Sequence, residues 1–589
     1  MTAADTQLPG SNPFWPPWRG LTSPLWMMEH AFERARASGK AEDDTRLRIF
    51  FVMALFSIGF ATLGLMATKA ALMSGLGEGA RAGLPANARA DLVDRNGQIL
   101  AVDLVHYGLY LSPREVSDRA GTQGALLAAV PGLSPRRLAA ALAGDRKEYY
   151  LAGGLTPEAK AKVHDLALPG VTFEDETARA YPLGETGAHL IGFAGKDGTG
   201  LAGAERALDG EIRADAGKTQ VPLSIDLRVQ GALQDELQAA AAHFGVIDAV
   251  GMVVNVRTGE ILGMASYPAY DPGDLAKDTS AAMVNHAAAT VYEPGSVFKV
   301  FTLAMGLDSG VVTPDTQFDV HTPLVLPGQI IHDYDKGDRV LPLWEVFTHS
   351  SNIGAARMAL LAGGARESDY WRRFGLMAKA PSELIESARP LTPKRFSDNI
   401  VATTAFGHAI SISPLAIATG MSSILNGGVY RPLTLKKLEP GAAPAPGRRV
   451  IQASTSRTML NLMRLNALIG TGRKADVAGY RVGGKTGTAT KLVGGHYTGG
   501  KRNLASFAAI FPTDGPLNAD RYYVLIMMDE PHATPETGGF TTGGVVSAPI
   551  AGRVIARIAP FLGVRRVAGP VAGDPKVPVD PDQVVASRD

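Results

Sequence analysis

Three short pieces of this sequence carry side chains that do chemistry when brought together: Ser296-Val297-Phe298-Lys299, Ser350-Ser351-Asn352 and Lys485-Thr486-Gly487. Ser296 and Lys299 are spaced i, i+3 and share one face. The stretch around them, SVFKVFTLAMGL, is almost wholly apolar after the Pro294-Gly295 break and predicts a buried helix. A lysine in the first turn of such a helix is disfavoured as a cation twice, by burial and by the positive end of the helix dipole. An amine made less basic in this way takes the proton of a neighbouring serine hydroxyl and so activates it as a nucleophile. Taken alone, the pattern also fits chance spacing and a snorkelling lysine. Ser350, Ser351 and Asn352 precede a second apolar helix, where Ser and Asn commonly cap the free backbone N–H groups.

The third piece has a rival reading. Gly479, Gly484, Lys485 and Thr486 match the phosphate-loop pattern G-x-x-x-x-G-K-[ST]. A phosphate loop needs a helix directly after its Lys-Thr. Here Gly487, Thr488 and Thr490 follow, which suit a strand and spoil a helix start. The expectation is a strand, with Gly487 allowing a ligand backbone to approach it closely.

The elements that must position these residues span a chain of 589 residues, enough for two or three domains. Lys and Arg total 58 against 57 Asp and Glu, so no basic surplus points to nucleic acid. The absence of cysteine excludes disulfides, thiolate metal sites and cysteine nucleophiles. Ile49 to Thr68 is a run of 20 residues without a charge, the length that crosses a hydrocarbon core. Its ten Ile, Leu, Phe and Val residues favour insertion by roughly 3–6 kcal/mol. Arg34, Arg36, Lys40, Arg46 and Arg48 precede it, whereas Lys69 and Arg81 alone follow closely. That bias keeps the N-terminus in the cytoplasm and sends the rest outside, where ATP is scarce.

The expected organisation is a cytoplasmic tail over 1–46, a membrane anchor over 47–72, a first outer domain over 73–217, a second over 218–562 and a flexible tail over 563–589. The N-terminal tail holds Trp15, Trp18 and Trp26 among prolines, and reads as disordered or as a docking segment. Asp94-Arg95-Asn96-Gly97 predicts a turn before the apolar QILAV. Residues 112–170 read as short helices with Pro and Gly breaks. Arg257-Thr258-Gly259-Glu260 predicts a β-hairpin turn, and the stretch 221–245 starts with strand-like alternation and continues with helical spacing.

S-x-x-K, S-x-N and K-T-G in this order resemble the penicillin-binding and serine β-lactamase superfamily. Within it, the chain is similar to the class B penicillin-binding proteins, and to their division-specific D,D-transpeptidases above all. The resemblance runs over about residues 47–560 and includes VDRNGQILAV, RAYPLGETGAHLIGFAG, GLAGAERALDG, TGEILGMASYPAYDP, EPGSVFK, SSNIG, SISPLAIATG and GGKTGTA. It implies an α/β chain with a single N-terminal transmembrane helix, an elongated α+β pedestal, and a transpeptidase domain with a central antiparallel sheet flanked by helices. Ser-x-Asn rather than Ser-x-Asp favours division over elongation. In FGHAISISP, His408-Ala409 departs from the family's Gly-x-Gly, which puts the local loop geometry in question.

The resemblance also implies the roles. Ser296 is the nucleophile on the carbonyl between two terminal D-alanines of a peptidoglycan stem peptide, and Lys299 its base. Ser350 relays a proton towards the leaving amine, and Asn352 holds Lys299 and the substrate amide. Lys485 tunes Ser350, while Thr486, Gly487 and Thr488 line the carboxylate and oxyanion subsites, with the N–H groups of Ser296 and Thr488 as the oxyanion hole. The implied partners are stem peptides, β-lactams, a SEDS-family glycosyltransferase and other division proteins, on the outer side of the bacterial inner membrane. No cofactor or metal is called for. The alternatives are an elongation-specific class B enzyme, a D,D-carboxypeptidase or β-lactamase-type hydrolase, and a scaffold for a glycosyltransferase. Glu383-Leu384-Ile385-Glu386 lacks the E-x-x-L-N form of class A β-lactamases, and a scaffold without activity has no need to keep all three motifs.

Overall fold

The computed structural model describes residues 37, 52–53, 55–64, 66, 88–217, 219–334, 339–493, 496–497 and 502–567. The chain divides into two compact units, Met1–Leu84 and Pro85–Asp589. In the first, residues 52–53, 55–64 and 66 are helical, and Leu55, Phe56, Ile58, Phe60 and Leu63 are all exposed. Among the described residues no helix is long and apolar enough to cross a membrane. The remainder of the expected span, the tryptophan-bearing tail and residues 568–589 lie outside the described residues.

The second unit begins with a mixed sheet. It contains β1 (Leu92–Val93), β2 (Ile99–Leu111), β3 (Tyr149–Leu155), β4 (Val171–Ala180) and β5 (Val221–Pro222). Both β3 and β4 pair antiparallel with β2, and β1 joins β2 to the parallel β5. The Asp94–Gly97 turn forms as expected. Asp94 Oδ1 accepts the N–H groups of Asn96 (2.7 Å) and Gln98 (2.9 Å). Three helices, Arg119–Ala129, Pro135–Ala143 and Pro157–His164, lie between β2 and β4. The reading of 112–170 as helices alone is corrected by β3, whose YYLAGGL has no period-2 pattern and contains two glycines. Buried ion pairs tie this region together. Glu205 is fully buried and accepts from Arg89 Nε (2.8 Å) and Arg179 Nε (2.7 Å).

The second sheet is built from buried strands. β6 (Ala249–Asn255) and β7 (Ile261–Tyr267) form the hairpin turned by Arg257–Glu260, and β8 (Gly483–Thr490), β9 (Asn503–Phe511) and β10 (Tyr522–Asp529) complete the sheet. The strand order is β8-β9-β10-β6-β7, antiparallel throughout. β10 reads YYVLIMMD because both its faces are covered. Tyr523, Leu525 and Met527 enter one core, and Val524, Ile526 and Met528 enter the other. The helices α1 (Leu227–Phe244) and α6 (Ser547–Ile558) supply the second core through Val229, Leu233, Leu237, Ile550 and Val554. The first core receives α2 (Lys299–Asp308), α3 (Asn352–Ala362), α4 (Pro414–Leu425) and α5 (Ala453–Ile469). This gives helices on both faces of an antiparallel sheet, a layered α/β arrangement.

Candidate active site

Ser296 does not open an α-helix. Gly295–Phe298 is a single 3-10 turn, and α2 begins at Lys299. In a 3-10 turn, residues i and i+3 eclipse, which lines the two side chains up more closely than α geometry does. Lys299 Nζ lies 3.1 Å from Ser296 Oγ. The same nitrogen lies 3.1 Å from Ser350 Oγ and 2.7 Å from Asn352 Oδ1, and it also donates to the Ser350 carbonyl. Lys299 is fully buried, and burial pushes its amine down to about 7, with the Asp333 carboxylate partly opposing that. Ser296 and Ser350 are half-buried, whereas the lysine they share is fully buried.

Ser350 lies outside α3 and adopts φ +57°, an uncommon region for a residue with a Cβ. Ser351 is the true N-cap of α3, and its Oγ accepts from Gly354 N at 2.9 Å. The cap expected of this cluster therefore belongs to Ser351, which frees Ser350 to point at the two lysines.

Lys485 stands in β8, opposite Ala508 of β9, and no helix follows. The phosphate-loop reading fails on this geometry. Lys485 is fully buried, with Nζ 2.8 Å from Ser350 Oγ and 3.2 Å from Thr486 O. Its pKa is held well below the ordinary lysine value by burial first and by the neighbouring Lys299 second. Thr486 Oγ1 is 2.8 Å from Thr471 Oγ1, and Thr488 Oγ1 accepts from Gly543 N at 3.1 Å.

Gly487 carries a correction. A Cβ there would lie 2.2 Å from Ser506 Oγ, 2.8 Å from Val297 Cγ2 and 2.9 Å from Pro294 O. The space a Cβ would need there is taken by Ser506 of β9 and by the chain's own nucleophile loop. Gly487 thus sets how near Ser296 comes to β8.

Sequence reasoning missed three supports. Asp333 accepts from Ser351 Oγ (2.6 Å), Asn352 N (2.5 Å) and Ile353 N (2.9 Å). Glu293 Oε1 accepts from Ala409 N at 3.0 Å, and its Oε2 lies 3.1 Å from His408 Nδ1. Ala409 has φ +56°, a left-handed conformation that glycine adopts more readily than alanine. Asn466 joins α5 to β8 by donating from Nδ2 to Gly484 O at 2.8 Å. Among the described residues no group of three His, Cys, Asp or Glu side chains is placed to hold a metal ion.

Residues 249–556 match the family model described as the penicillin-binding protein transpeptidase domain, and residues 85–240 match that of the penicillin-binding protein dimerisation domain. The chain is 53% identical over 559 residues to the "Probable peptidoglycan D,D-transpeptidase FtsI" of Caulobacter vibrioides, covering 94% of each. It is 32% identical over 500 residues to the Escherichia coli K12 "Peptidoglycan D,D-transpeptidase FtsI", covering 79% of this chain and 82% of that one. A crystal structure of penicillin binding protein 3 from Mycobacterium tuberculosis, complexed with aztreonam, has the same fold. It aligns at a TM-score of 0.62 and 24% identity over 83% of this chain and 99% of that one.

Proposed function

The chain belongs to the class B penicillin-binding proteins, and from that premise we propose that it is a peptidoglycan D,D-transpeptidase of septal cell-wall synthesis and a target of β-lactams. One observation carries the reading: a buried lysine made less basic lies 3.1 Å from the hydroxyl of a half-buried serine. Such a pair is an activated nucleophile.

The proposed reaction uses these residues in the roles that the family resemblance implies. Ser296 Oγ attacks the carbonyl between the two terminal D-alanines of a stem peptide, and its proton passes to Lys299 Nζ. The backbone N–H groups of Ser296 and Thr488 stabilise the oxyanion, which exists only around the transition state. Ser350 then delivers a proton to the departing nitrogen and is recharged by the lysine beside it. The carbon–nitrogen bond breaks, D-alanine leaves and an ester to Ser296 remains. An amine of a neighbouring stem peptide attacks this ester, loses its proton to the same relay and restores Ser296. Lys485 and the Thr486 and Thr488 hydroxyls receive the substrate's terminal carboxylate. Asn352 holds Lys299 through Oδ1.

The division branch is supported by Ser350-Ser351-Asn352 and by the relatives named above. The apolar run Ile49–Thr68, with exposed Leu55, Phe56 and Phe60 on its described helical part, supports a single membrane anchor. Its flanking charges support an outer catalytic domain. On this reading residues 73–217 form the pedestal, residues 218–562 the transpeptidase domain, and the pedestal and tail meet a SEDS-family glycosyltransferase and other division proteins.

The test is turnover of a D-alanyl-D-alanine stem peptide by the full-length protein in detergent or lipid, with an amine acceptor present. Cross-linked product that scales with D-alanine release supports a transpeptidase. D-alanine release with only hydrolysed product would replace this reading with a carboxypeptidase.

A further inference from the structure

Asn352 touches Lys299 with one end of its carboxamide and the chain segment before α3 with the other. Its Oδ1 accepts from Lys299 Nζ at 2.7 Å, and its Nδ2 donates to the His332 carbonyl at 3.2 Å. A backbone carbonyl can only accept, so His332 fixes which end of the amide faces the lysine. The next residue, Asp333, closes on the same turn with three hydrogen bonds at 2.5–2.9 Å, to Ser351 Oγ, Asn352 N and Ile353 N. Charge-assisted bonds to a helix's first N–H groups are strong and directional. The turn they hold includes Ser350 in its strained φ +57° conformation, which persists only when its surroundings over-determine it.

We propose that His332–Asp333 is a positioning element for the acylation step, which clamps Ser350 and Asn352 on Lys299 and sets an anionic side chain in the field of that lysine. The proposal rests on the reading of Lys299 as the base of Ser296. His332 and Asp333 follow a short hairpin, Leu324–Leu326 paired with Gln329–Ile331, whose register carries them to the start of α3. Among the described residues, two charged groups face Lys299: Asp333 from this loop and Lys485 from β8. Of these, only Asp333 favours the protonated amine. Loss of its charge therefore makes Lys299 still less basic, and the acidic limb of acylation moves to lower pH.

The experiment measures acylation of the full-length protein by a fluorescent penicillin across pH for wild type, Asp333→Asn, Asp333→Glu and Ser351→Ala. Asp333→Asn is expected to lower the plateau rate by about tenfold or more, as a misplaced reacting group does. It is also expected to shift the acidic limb to lower pH. Asp333→Glu keeps the charge, so its limb stays in place and its plateau recovers in part. Ser351→Ala lowers the plateau without moving the limb. A wild-type plateau in Asp333→Asn, or a lowered plateau with an unmoved limb, overturns the proposal, the latter because it signals ordinary structural loss. Should Asp333→Asn fail to fold, wild-type rates in both Asp333→Glu and Ser351→Ala overturn it. Wild-type protein that takes no label would sink the serine-acylation reading and this clamp with it.

Discussion

Lys485 Nζ lies 2.8 Å from Ser350 Oγ, and among the described residues neither side chain has a carboxylate as hydrogen-bond partner. A second buried amine, that of Lys299, lies 3.1 Å from the same hydroxyl. Two cations cannot share one oxygen cheaply in a low-dielectric site, so each lowers the proton affinity of the other. Ser350 is thereby a hydroxyl between two weakly basic amines, a relay that passes a proton either way. Removing Ser350 or Lys485 should slow penicillin acylation by about a hundredfold or more while leaving the label on Ser296, as loss of a transition-state contact does. Rates within about twofold of wild type in Ser350→Ala would remove the relay from the mechanism.

The Lys299 amine, at about 7 in the folded protein against an ordinary 10.5, makes two pH predictions. Acylation should rise with pH through about 7 as the amine loses its proton. Stability should also rise, because a depressed lysine penalises folding fully below its folded-state value. That penalty fades as pH climbs from about 7 towards 10.5, where only the unfolded chain still binds the proton. Lys299→Met lacks this dependence. Melting temperatures measured from neutral pH to about pH 9 should therefore shift in favour of wild type relative to Lys299→Met. Parallel curves would mean that Lys299 is charged in the folded state.

Gly407 is where a single methyl group should cost both stability and activity. Its φ is +82°, and a Cβ would sit 2.2 Å from the carbonyl oxygen of Gly295, the residue before the nucleophile. Gly407→Ala should lose about 1–3 kcal/mol from backbone strain alone, and more from the clash. Displacing Gly295 should slow acylation as well. Gly441 is the control: its φ is +81°, with nothing within 4 Å of a Cβ. Gly441→Ala should pay the strain and acylate at the wild-type rate. Equal acylation in the two variants would show that Gly407 does not set the nucleophile loop.

The chemistry-bearing residues were legible in the sequence because their signals are local. Ser296 and Lys299 lie one turn apart, and Gly487 with two threonines after Lys485 announced the strand that β8 is. The β6–β7 hairpin and α1 were legible for the same reason: the turn glycine and the helical period are local signals. Three features were not. Asp333 meets Asn352, and Glu293 meets Ala409, only after the chain has folded back through other elements. Nothing in IHDYDKGD distinguishes Asp333 from its acidic neighbours, since its role depends on where α3 begins. The mixed role of Ser350 and Ser351 was hidden because type and spacing do not tell a cap from the residue before it.

The central claim is that Ser296 carries the acyl group. Mass spectrometry of the intact full-length protein after penicillin treatment, followed by peptide mapping, tests it most directly. The account predicts one adduct per chain, on the peptide containing Ser296, absent from Ser296→Ala protein that melts close to wild type. The Ser296 hydroxyl caps no helix, and a side-chain hydrogen bond contributes about 0.5–1.5 kcal/mol net, so the variant should remain folded. An adduct of full stoichiometry on folded Ser296→Ala protein would contradict the mechanism and move the nucleophile elsewhere.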